Sequence, residues 1–251
     1  MAITAASALA LETTATAGTS FATSANLTCS ANKLYLACVV NQTSGGGATP
    51  SGLTGGGQST WTQVRTALVG TSERMTLYRA LSTSPGAAAP LTATWAASQG
   101  SIGGIWCMEY GGVKTTGSNG ADAVVQSASN NSVSATTLSV TLASFADATN
   151  NVAAGFFCNA TTAAATAGSG FTILGNATGQ SRRFTHEWKT GEDTSVDISG
   201  GSGRWLGIAL EIAADTGLSL APTGSEYTVA SGTPTYSGVF NAFRGLVLVW
   251  P

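Results

Sequence analysis

The amino-acid sequence predicts an all-β protein, an antiparallel β-sandwich or barrel with a short β-rich appendage at its C-terminal end. Short runs of strand-forming residues, bounded by Gly, Asn, Ser and Pro, recur along the chain. Helical periodicity is almost absent. At 251 residues the chain can bury a core without disulfides or metals, and all-β sandwiches of this size fold as one domain.

The composition excludes two classes of partner. Charged residues make up 9% of the chain, against about 25% in an average soluble protein. No apolar run approaches the roughly 20 residues that span a bilayer, so we expect no membrane partner. The net charge is −2 and the longest basic run is Arg182-Arg183, which is too little for nucleic acid. A surface of Ser, Thr, Ala, Asn and Gly suits close packing in an assembly.

The first strands are predicted in the N-terminal third. Residues 33–40, "KLYLACVV", are apolar at both alternating sets of positions, which is typical of a strand covered on both faces. A Gly-rich loop over 44–59 follows. Residues 60–69 and 73–82 then predict a hairpin around Gly70 to Ser72.

The next strand, at 90–98, leads into "GGIWCMEYGGV" at 103–113. Because side chains alternate along a strand, Glu109 shares a face with Ile105 and Cys107. Glu109 is the last of its set, beside a glycine pair. We expect it at the rim of the sandwich, hydrogen-bonded to a neighbouring loop.

The second half predicts further strands. Residues 132–142 become cleanly apolar on one side, as expected for a strand with one face in water, and 203–213 present a regular apolar set. Other strands are predicted at 150–160, 170–177, 182–190 and 195–201. About ten strands therefore lead up to Ala213, and we assign 1–213 to the sandwich domain.

Residues 214–251 are predicted to be a docking or oligomerisation appendage. About 38 residues cannot sustain a core alone, and the segment ends in an apolar run that must be covered. The expected assembly contact is Leu246, Val247, Leu248, Val249 and Trp250.

No catalytic residue is expected. His186 is the only histidine, so a Ser-His-Asp triad would have to use it, but it shares a strand face with Phe184 and Trp188 and fits a packing role. Glu109 could have a raised pKa beside Trp106 or Tyr110, yet glycoside hydrolysis needs two facing carboxylates. The other carboxylates available are Glu187, Glu192, Asp193, Asp197 and Glu211.

No metal or cofactor is expected either. The cysteines, Cys29, Cys38, Cys107 and Cys158, lack ligand spacing and are interpreted as buried thiols. Residues 191–197, "GEDTSVD", offer oxygen donors, but without the spacing of an EF-hand they favour an acidic turn over a calcium loop. Trp61 and Trp188 are candidates for stacking on a glycan. These two and Trp95 could equally be core anchors.

Four segments taken in order resemble one known domain. The segments are Leu34 to Val40, Trp61 to Val64, Leu77 to Ala80, and Glu109 to Val113. They are similar to the recurring strands of a jelly-roll-like β-sandwich domain of tailed-bacteriophage and prophage proteins and of some bacterial surface proteins. The resemblance covers roughly residues 15 to 213. It implies a virion structural or surface-adhesion role, and it supplies no catalytic set.

These observations predict a non-enzymatic virion structural protein of a tailed bacteriophage, either a capsid decoration or a tail component. We expect a symmetric homo-oligomer, for which a trimer is one option, in contact with other virion proteins. The N-terminal "MAITAASALALETT" lacks the basic start of a signal peptide, so synthesis in the host cytoplasm and location in the virion are expected. The alternative is a carbohydrate-binding or receptor-binding adhesin module.

Overall fold

The computed structural model describes residues 2–5, 9–14, 16–42, 47–70, 72–100 and 102–217. Most of the predicted appendage, including the predicted assembly contact at 246–250, lies outside the described residues. Within the described part, no helix has the length and apolar character needed to cross a membrane.

Nearly every described element is a β-strand. The strands are β1 Thr4–Ala5, β2 Ala10–Thr14, β3 Gly18–Ala22, β4 Leu34–Gln42, β5 Gly52–Thr54, β6 Thr62–Val69, β7 Glu73–Leu81, β8 Thr92–Gln99, β9 Ile102–Gly111, β10 Val124–Thr141, β11 Val152–Asn159, β12 Thr166–Ala167, β13 Thr172–Gly179, β14 Arg182–Thr190 and β15 Ser195–Ile212. A short 3-10 segment, Ser118–Ala123, precedes β10. The predicted all-β class is confirmed.

Three antiparallel sheets are formed by these strands. The central sheet has the order β1-β9-β4-β7-β6, with β2 also paired to β9. The long sheet has the order β10-β15-β11-β14-β13, with β12 also paired to β15, and the small sheet is β3-β8-β5. The sheets stack as a sandwich, while the specific jelly-roll connectivity stays a prediction.

The central sheet is buried on both faces. Leu36 and Cys38 of β4 pack in one hydrophobic cluster with the long sheet, whose members include Phe156 of β11. Tyr35 and Ala37, on the opposite face of β4, pack in a second cluster with the small sheet. The alternating apolar sets of 33–40 predicted this double burial, and the prediction is confirmed.

The ribbon formed by β10 and β15 folds back over the long sheet. Asn130 Nδ2 donates to Ser139 O, nine residues further along β10, over 2.7 Å. A straight strand would separate these residues by about 30 Å, so β10 turns a corner between them. Register shifts at 132–137 lie at the bend of β10, and bulges of this kind bend strands. Opposite them, β15 carries the glycine-rich stretch 199–203.

The folded-over half of the ribbon covers the outer face of the long sheet. Leu138 and Val140 of β10, with Val196 of β15, pack there on Phe157 and Ala209 in a third hydrophobic cluster. The sequence predicted strands at 132–142 and 195–201 but placed them as separate pieces. The structure makes each one the end of an 18-residue strand.

Gly207 provides a test of this folded-over ribbon. A Cβ at Gly207 would lie 2.7 Å from Leu138 and 2.9 Å from both Phe157 and Val140. We expect Gly207→Ala to lower the free energy of unfolding by about 1–3 kcal/mol through overpacking, measured by urea denaturation. Gly52→Ala is the matched control, because its Cβ would make only an ordinary 3.6 Å contact. Equal stability of the two variants would contradict the folded-over arrangement.

Candidate functional site

Glu109 lies at the end of β9 with its side chain 19% exposed. The Tyr35 hydroxyl donates to its Oε2, and that hydroxyl accepts the backbone N–H of Ser30 over 2.6 Å. Lys33 Nζ is 4.0 Å from the other carboxylate oxygen. Glu109 is therefore partly exposed at the strand end, as expected, but its hydrogen bond comes from Tyr35 of the neighbouring strand β4 and not from a loop. The groups that hold Glu109 are a phenol and an ammonium, where glycoside hydrolysis needs a second carboxylate.

His186 of β14 joins two sheets. Its Nδ1 lies 2.8 Å from Gly155 O, and its Nε2 lies 2.5 Å from the Tyr110 hydroxyl of β9. A carbonyl can only accept, so Nδ1 carries the proton and Nε2 accepts from Tyr110. Burial lowers the pKa of His186 to about 3, so the ring is neutral. Both ring nitrogens are occupied by structural contacts, in agreement with the packing role expected.

A buried ion cluster connects the same two sheets at one end. Glu73 begins β7 and Arg182 begins β14, and they are 2% and 4% exposed. Arg182 Nε is 2.6 Å from Glu73 Oε1, and Arg204 Nε is 3.5 Å from Oε2. Arg182 also donates to Gln42 Oε1 over 2.6 Å. Sequence reasoning missed this cluster, because its members lie far apart in the chain and belong to no sequence motif.

Glu187 is the most unusual carboxyl group among the described residues. It is fully buried, its Oε2 accepts the Gly168 N–H over 3.2 Å, and its Oε1 has no hydrogen-bond partner. Burial raises the pKa of Glu187 to about 8, and the charges of Asp197 and Asp193 add to the rise. The group is therefore mostly protonated at neutral pH. Glu187 lies on the outer face of the long sheet, where it bonds to Gly168, and it lines no open cleft among the described residues.

Glu211 of β15 is equally buried but fully paired. Its carboxylate accepts from Ala146 N over 2.8 Å, Asn151 Nδ2 over 2.6 Å and Gln126 Nε2 over 2.7 Å. These bonds fasten the loop before β11 to the long sheet. A buried charge with this many donors serves as a structural anchor.

The predicted thiols and the acidic turn have structural roles. All four cysteines are free and buried, and burial raises the pKa of each thiol. In the 191–197 turn, Asp193 contacts Lys189 Nζ at 2.6 Å and accepts the Ser195 N–H over 3.0 Å. Within the described residues, no group of three His, Cys, Asp or Glu side chains is placed to hold a metal ion.

The tryptophans predicted to stack on a glycan are held in packing positions. Trp61 is 8% exposed, packs in the cluster under the small sheet, and donates its indole N–H to Gly55 O over 3.0 Å. Trp188 is half-buried against the core between the central and long sheets. Trp95 is 6% exposed and differs from both, because it lines a surface hollow.

This hollow lies where two strands change sheets side by side. The chain passes from β2 in the central sheet to β3 in the small sheet, and from β8 in the small sheet to β9 in the central sheet. The two crossings contribute Thr14, Thr16 and Gly18 on one side and Gln99, Gly100 and Gly103 on the other. Ser20, Phe21, Asn41 and Trp95 complete the lining. We call it the crossover hollow; its volume is about 10 Å³, enough for one water-sized group.

A network of amides holds the floor of the crossover hollow. Asn41 is 1% exposed and donates from Nδ2 to Ala48 O over 3.1 Å and to Gln99 Oε1 over 2.8 Å. Trp95 also donates its indole N–H to Ala48 O, over 3.2 Å. The Asn41 amide orientation is fixed by these two acceptors, which leaves its Oδ1 facing away from them. No residue that the structure describes donates a hydrogen bond to Oδ1.

The crossover hollow was not predicted from the sequence. Its residues come from three stretches of the chain, 14–21, 41 and 95–103, that only the sheet crossings bring together, and no strand was predicted before residue 33. A weak signal exists in Asn41, a polar residue that ends an otherwise apolar strand. Comparisons with known proteins add nothing to the site: no family model, curated protein or solved structure matches this chain.

Glu187 predicts that the free energy of unfolding falls as pH rises from 4.5 towards 8. The raised pKa means that the folded state binds a proton which the unfolded state releases above pH 4.5. Stability from this group is full below pH 4.5 and is lost as pH rises towards 8, by about 3 kcal/mol between pH 4.5 and 7. Because His186 titrates over the same range with the opposite sign, the decline is measured by urea denaturation as the free energy of unfolding of the wild type minus that of Glu187→Gln, and this difference should fall by about 3 kcal/mol. Glu12→Gln removes a half-exposed carboxylate whose pKa is lowered by its hydrogen bonds to Ser24, and the wild type minus Glu12→Gln should show no such fall.

His186 predicts a pH dependence of the opposite sign, in which the free energy of unfolding falls as pH falls. Its pKa is lowered from 6.5 to about 3 in the folded state, so its contribution is full above pH 6.5 and is lost as pH falls. The expected loss is about 2 kcal/mol between pH 7 and pH 5. His186→Gln should be less stable than the wild type at pH 7, and the difference in free energy of unfolding between the two should shrink by about 2 kcal/mol between pH 7 and pH 5. A difference that does not change with pH would show that His186 is not responsible.

Proposed function

We propose that this chain is a non-enzymatic structural protein of a tailed-bacteriophage particle, a capsid decoration or tail component that acts by packing against other subunits. One observation carries the proposal. β10 is an edge strand of the long sheet, and none of its 18 residues is charged. Exposed edge strands are normally protected by charged side chains or proline. A neutral edge of this length is typical of a surface that another subunit covers.

The exposure of β10 supports the same interpretation. Val133 is 69% exposed and Val125 is 43% exposed, and both lie on this strand. The opposite edge strand of the long sheet, β13, has no such exposed large apolar residue among the described side chains. The edge strand of the central sheet, β6, carries Arg65, whose Nε donates to Ser129 Oγ of β10 over 3.3 Å, so one charged side chain from β6 lies against this part of β10. The neutral and apolar features therefore coincide on β10.

The distribution of charge also supports a non-enzymatic role. Glu73 with Arg182, Glu211 and His186 are buried and committed to joining strands or sheets. Glu109 is held by Tyr35 and Lys33. These polar groups are thus occupied by structural contacts, and the virion is the proposed location.

The oligomeric state tests the subunit contact. We expect the purified chain to self-associate, measured by light scattering after size exclusion, and Val133→Lys to weaken association at least tenfold by placing charge on β10. Thr178→Lys on β13 is the matched control and should associate as the wild type does. A wild-type chain that stays monomeric at about 100 µM would contradict the contact.

Particle labelling tests the virion role separately. Antibody against the chain should decorate intact phage particles released from the strain whose genome encodes it, at heads or at tails. Label that is absent from purified particles would contradict the virion proposal while leaving the self-association result intact.

A second candidate function is a carbohydrate-binding or receptor-binding adhesin module, and the crossover hollow favours it. The experiment is glycan-array binding with Trp95→Ala, which changes the hollow, and with Trp61→Ala and Trp188→Ala, which change the two rings predicted to stack on a glycan. A loss of binding with folding preserved would support stacking at those rings. Trp188→Ala is the more informative variant, because Trp61 is buried and its removal leaves a cavity in the core.

A further inference from the structure

The loop between β11 and β13, residues 160–171, covers part of the outer face of the long sheet, and we call it the flap. Its short strand β12 pairs with the folded-over end of β15 through Thr166 and Ala167. Only Ala165 and Phe171 of the flap are buried, and both belong to the third hydrophobic cluster. A segment with so few buried apolar contacts can open locally while the rest of the domain stays folded.

A row of ionisable side chains on β14 holds the flap on the sheet. Arg183, Glu187 and Lys189 are alternate residues of this strand, so they share one face. The guanidinium of Arg183 donates to two flap carbonyls, and Lys189 Nζ donates to Ser169 O over 3.5 Å. Both cations are partly exposed. Glu187 holds the middle of the flap, where its Oε2 accepts the Gly168 N–H over 3.2 Å.

Glu187 is the member of this row that water does not reach. It is 0% exposed, and no described residue donates a hydrogen bond to its Oε1. A buried carboxylate needs several donors to replace its lost hydration, as Glu211 has, and Glu187 has one. The neutral carboxyl therefore fits the closed flap. The ionised carboxylate fits an open flap, in which water solvates it.

The charges around Glu187 also favour the neutral form while the flap is closed. Burial raises the pKa of Glu187 to about 8, and Asp197 of β15 and Asp193 of the turn after β14 add to the rise. Lys189, on the same strand, is paired with Asp193 at 2.6 Å. The flap has no charged residue. The residues that pair with Glu187 on β11 and β13 are uncharged: Gly155 and Ile173.

We propose that the flap is a pH-sensitive cover, which is closed while Glu187 is protonated and opens once Glu187 is ionised. Opening breaks the bond to Gly168, lets water reach the carboxylate and uncovers part of the third hydrophobic cluster. The apolar surface that the molecule offers to a partner then increases from acid towards neutral pH. This device does not depend on a virion role.

The direction and size of the effect follow from the two protonation states. Because the pKa of Glu187 is raised in the closed state, the closed flap is most favoured below pH 4.5 and loses this advantage as pH rises towards 8. With the ordinary pKa of 4.5 in the open state, the equilibrium constant for opening rises roughly 70-fold between pH 5 and pH 7. His186 lies on the opposite face of β14, so its titration does not offset this rise.

Hydrogen exchange of the full chain tests the cover, followed by NMR and corrected for the intrinsic exchange rate. The amides of Gly168 and β12 report on the flap, because their partners lie on β14 and β15. We expect them to exchange faster than the amides of β11, with opening constants that rise roughly 70-fold from pH 5 to pH 7. The Leu27 N–H, which bonds to Ala89 O outside the flap, should show no such rise.

Three variants separate Glu187 from other causes. Glu187→Gln keeps the size and the acceptor but cannot ionise, so its flap should open to the same extent at both pH values. Glu192→Gln is the matched control, because this carboxylate accepts the Phe145 N–H outside the flap, and the rise should persist. Gly168→Ala should open the flap already at pH 5, because its Cβ would lie 2.4 Å from Asp197 O.

Three results would overturn the proposal. Equal protection of the Gly168 amide and the β11 amides would mean that the flap opens only when the whole domain unfolds. An opening constant that is the same at pH 5 and pH 7 would show that ionisation of Glu187 does not move the flap. A rise that persists in Glu187→Gln would assign the pH dependence to another group.

Discussion

Burial of the central sheet on both faces is the constraint on which the rest of the structure depends. β4 has no side available to water, since one set of its side chains meets the long sheet and the other meets the small sheet. Each outer sheet must therefore be held in place against it. The polar contacts His186–Tyr110 and Glu73–Arg182 both bridge the central and long sheets, and they fix the alignment that non-directional apolar burial leaves free.

The same constraint governs where charge is placed. The chain has only 10 Lys and Arg residues and 12 Asp and Glu residues. Several of these ionisable side chains are buried in the interior. Glu187 and His186 lie on opposite faces of β14 and are both neutral because burial disfavours their charged forms. Several of the few ionisable side chains therefore lie inside, where they determine which strands and sheets meet. The exterior has mostly small neutral residues, which suit the proposed subunit contacts.

Sequence patterns predicted those strands in which apolar residues recur at every second position. The double burial of 33–40, the hairpin around 70–72 and the inner set of 203–213 all follow from alternation. The N-terminal strands β1 to β3 could not be found this way, because their pairing partners lie 70 to 107 residues further along, from Ala22↔Thr92 to Thr4↔Gly111, and their own sequence is weakly patterned. The turn between β13 and β14 has positive φ at Gln180 and Ser181, where sequence rules look for Asn or Gly. The candidate site depends on those same N-terminal strands, so it was equally hidden.

The folded-over ribbon has a consequence for how the protein is made. β15 is the last described strand, and it is the neighbour of both β10 and β11 in the long sheet. A ribosome must therefore release residues up to Ile212 before the long sheet can close on the central sheet. Until then, the apolar side of β4 and β9 is uncovered in the nascent chain, and long-range strand pairing is slow. During synthesis the chain is therefore partly folded, with one apolar face of the central sheet exposed. Rapid production favours aggregation of this intermediate unless chaperones bind it.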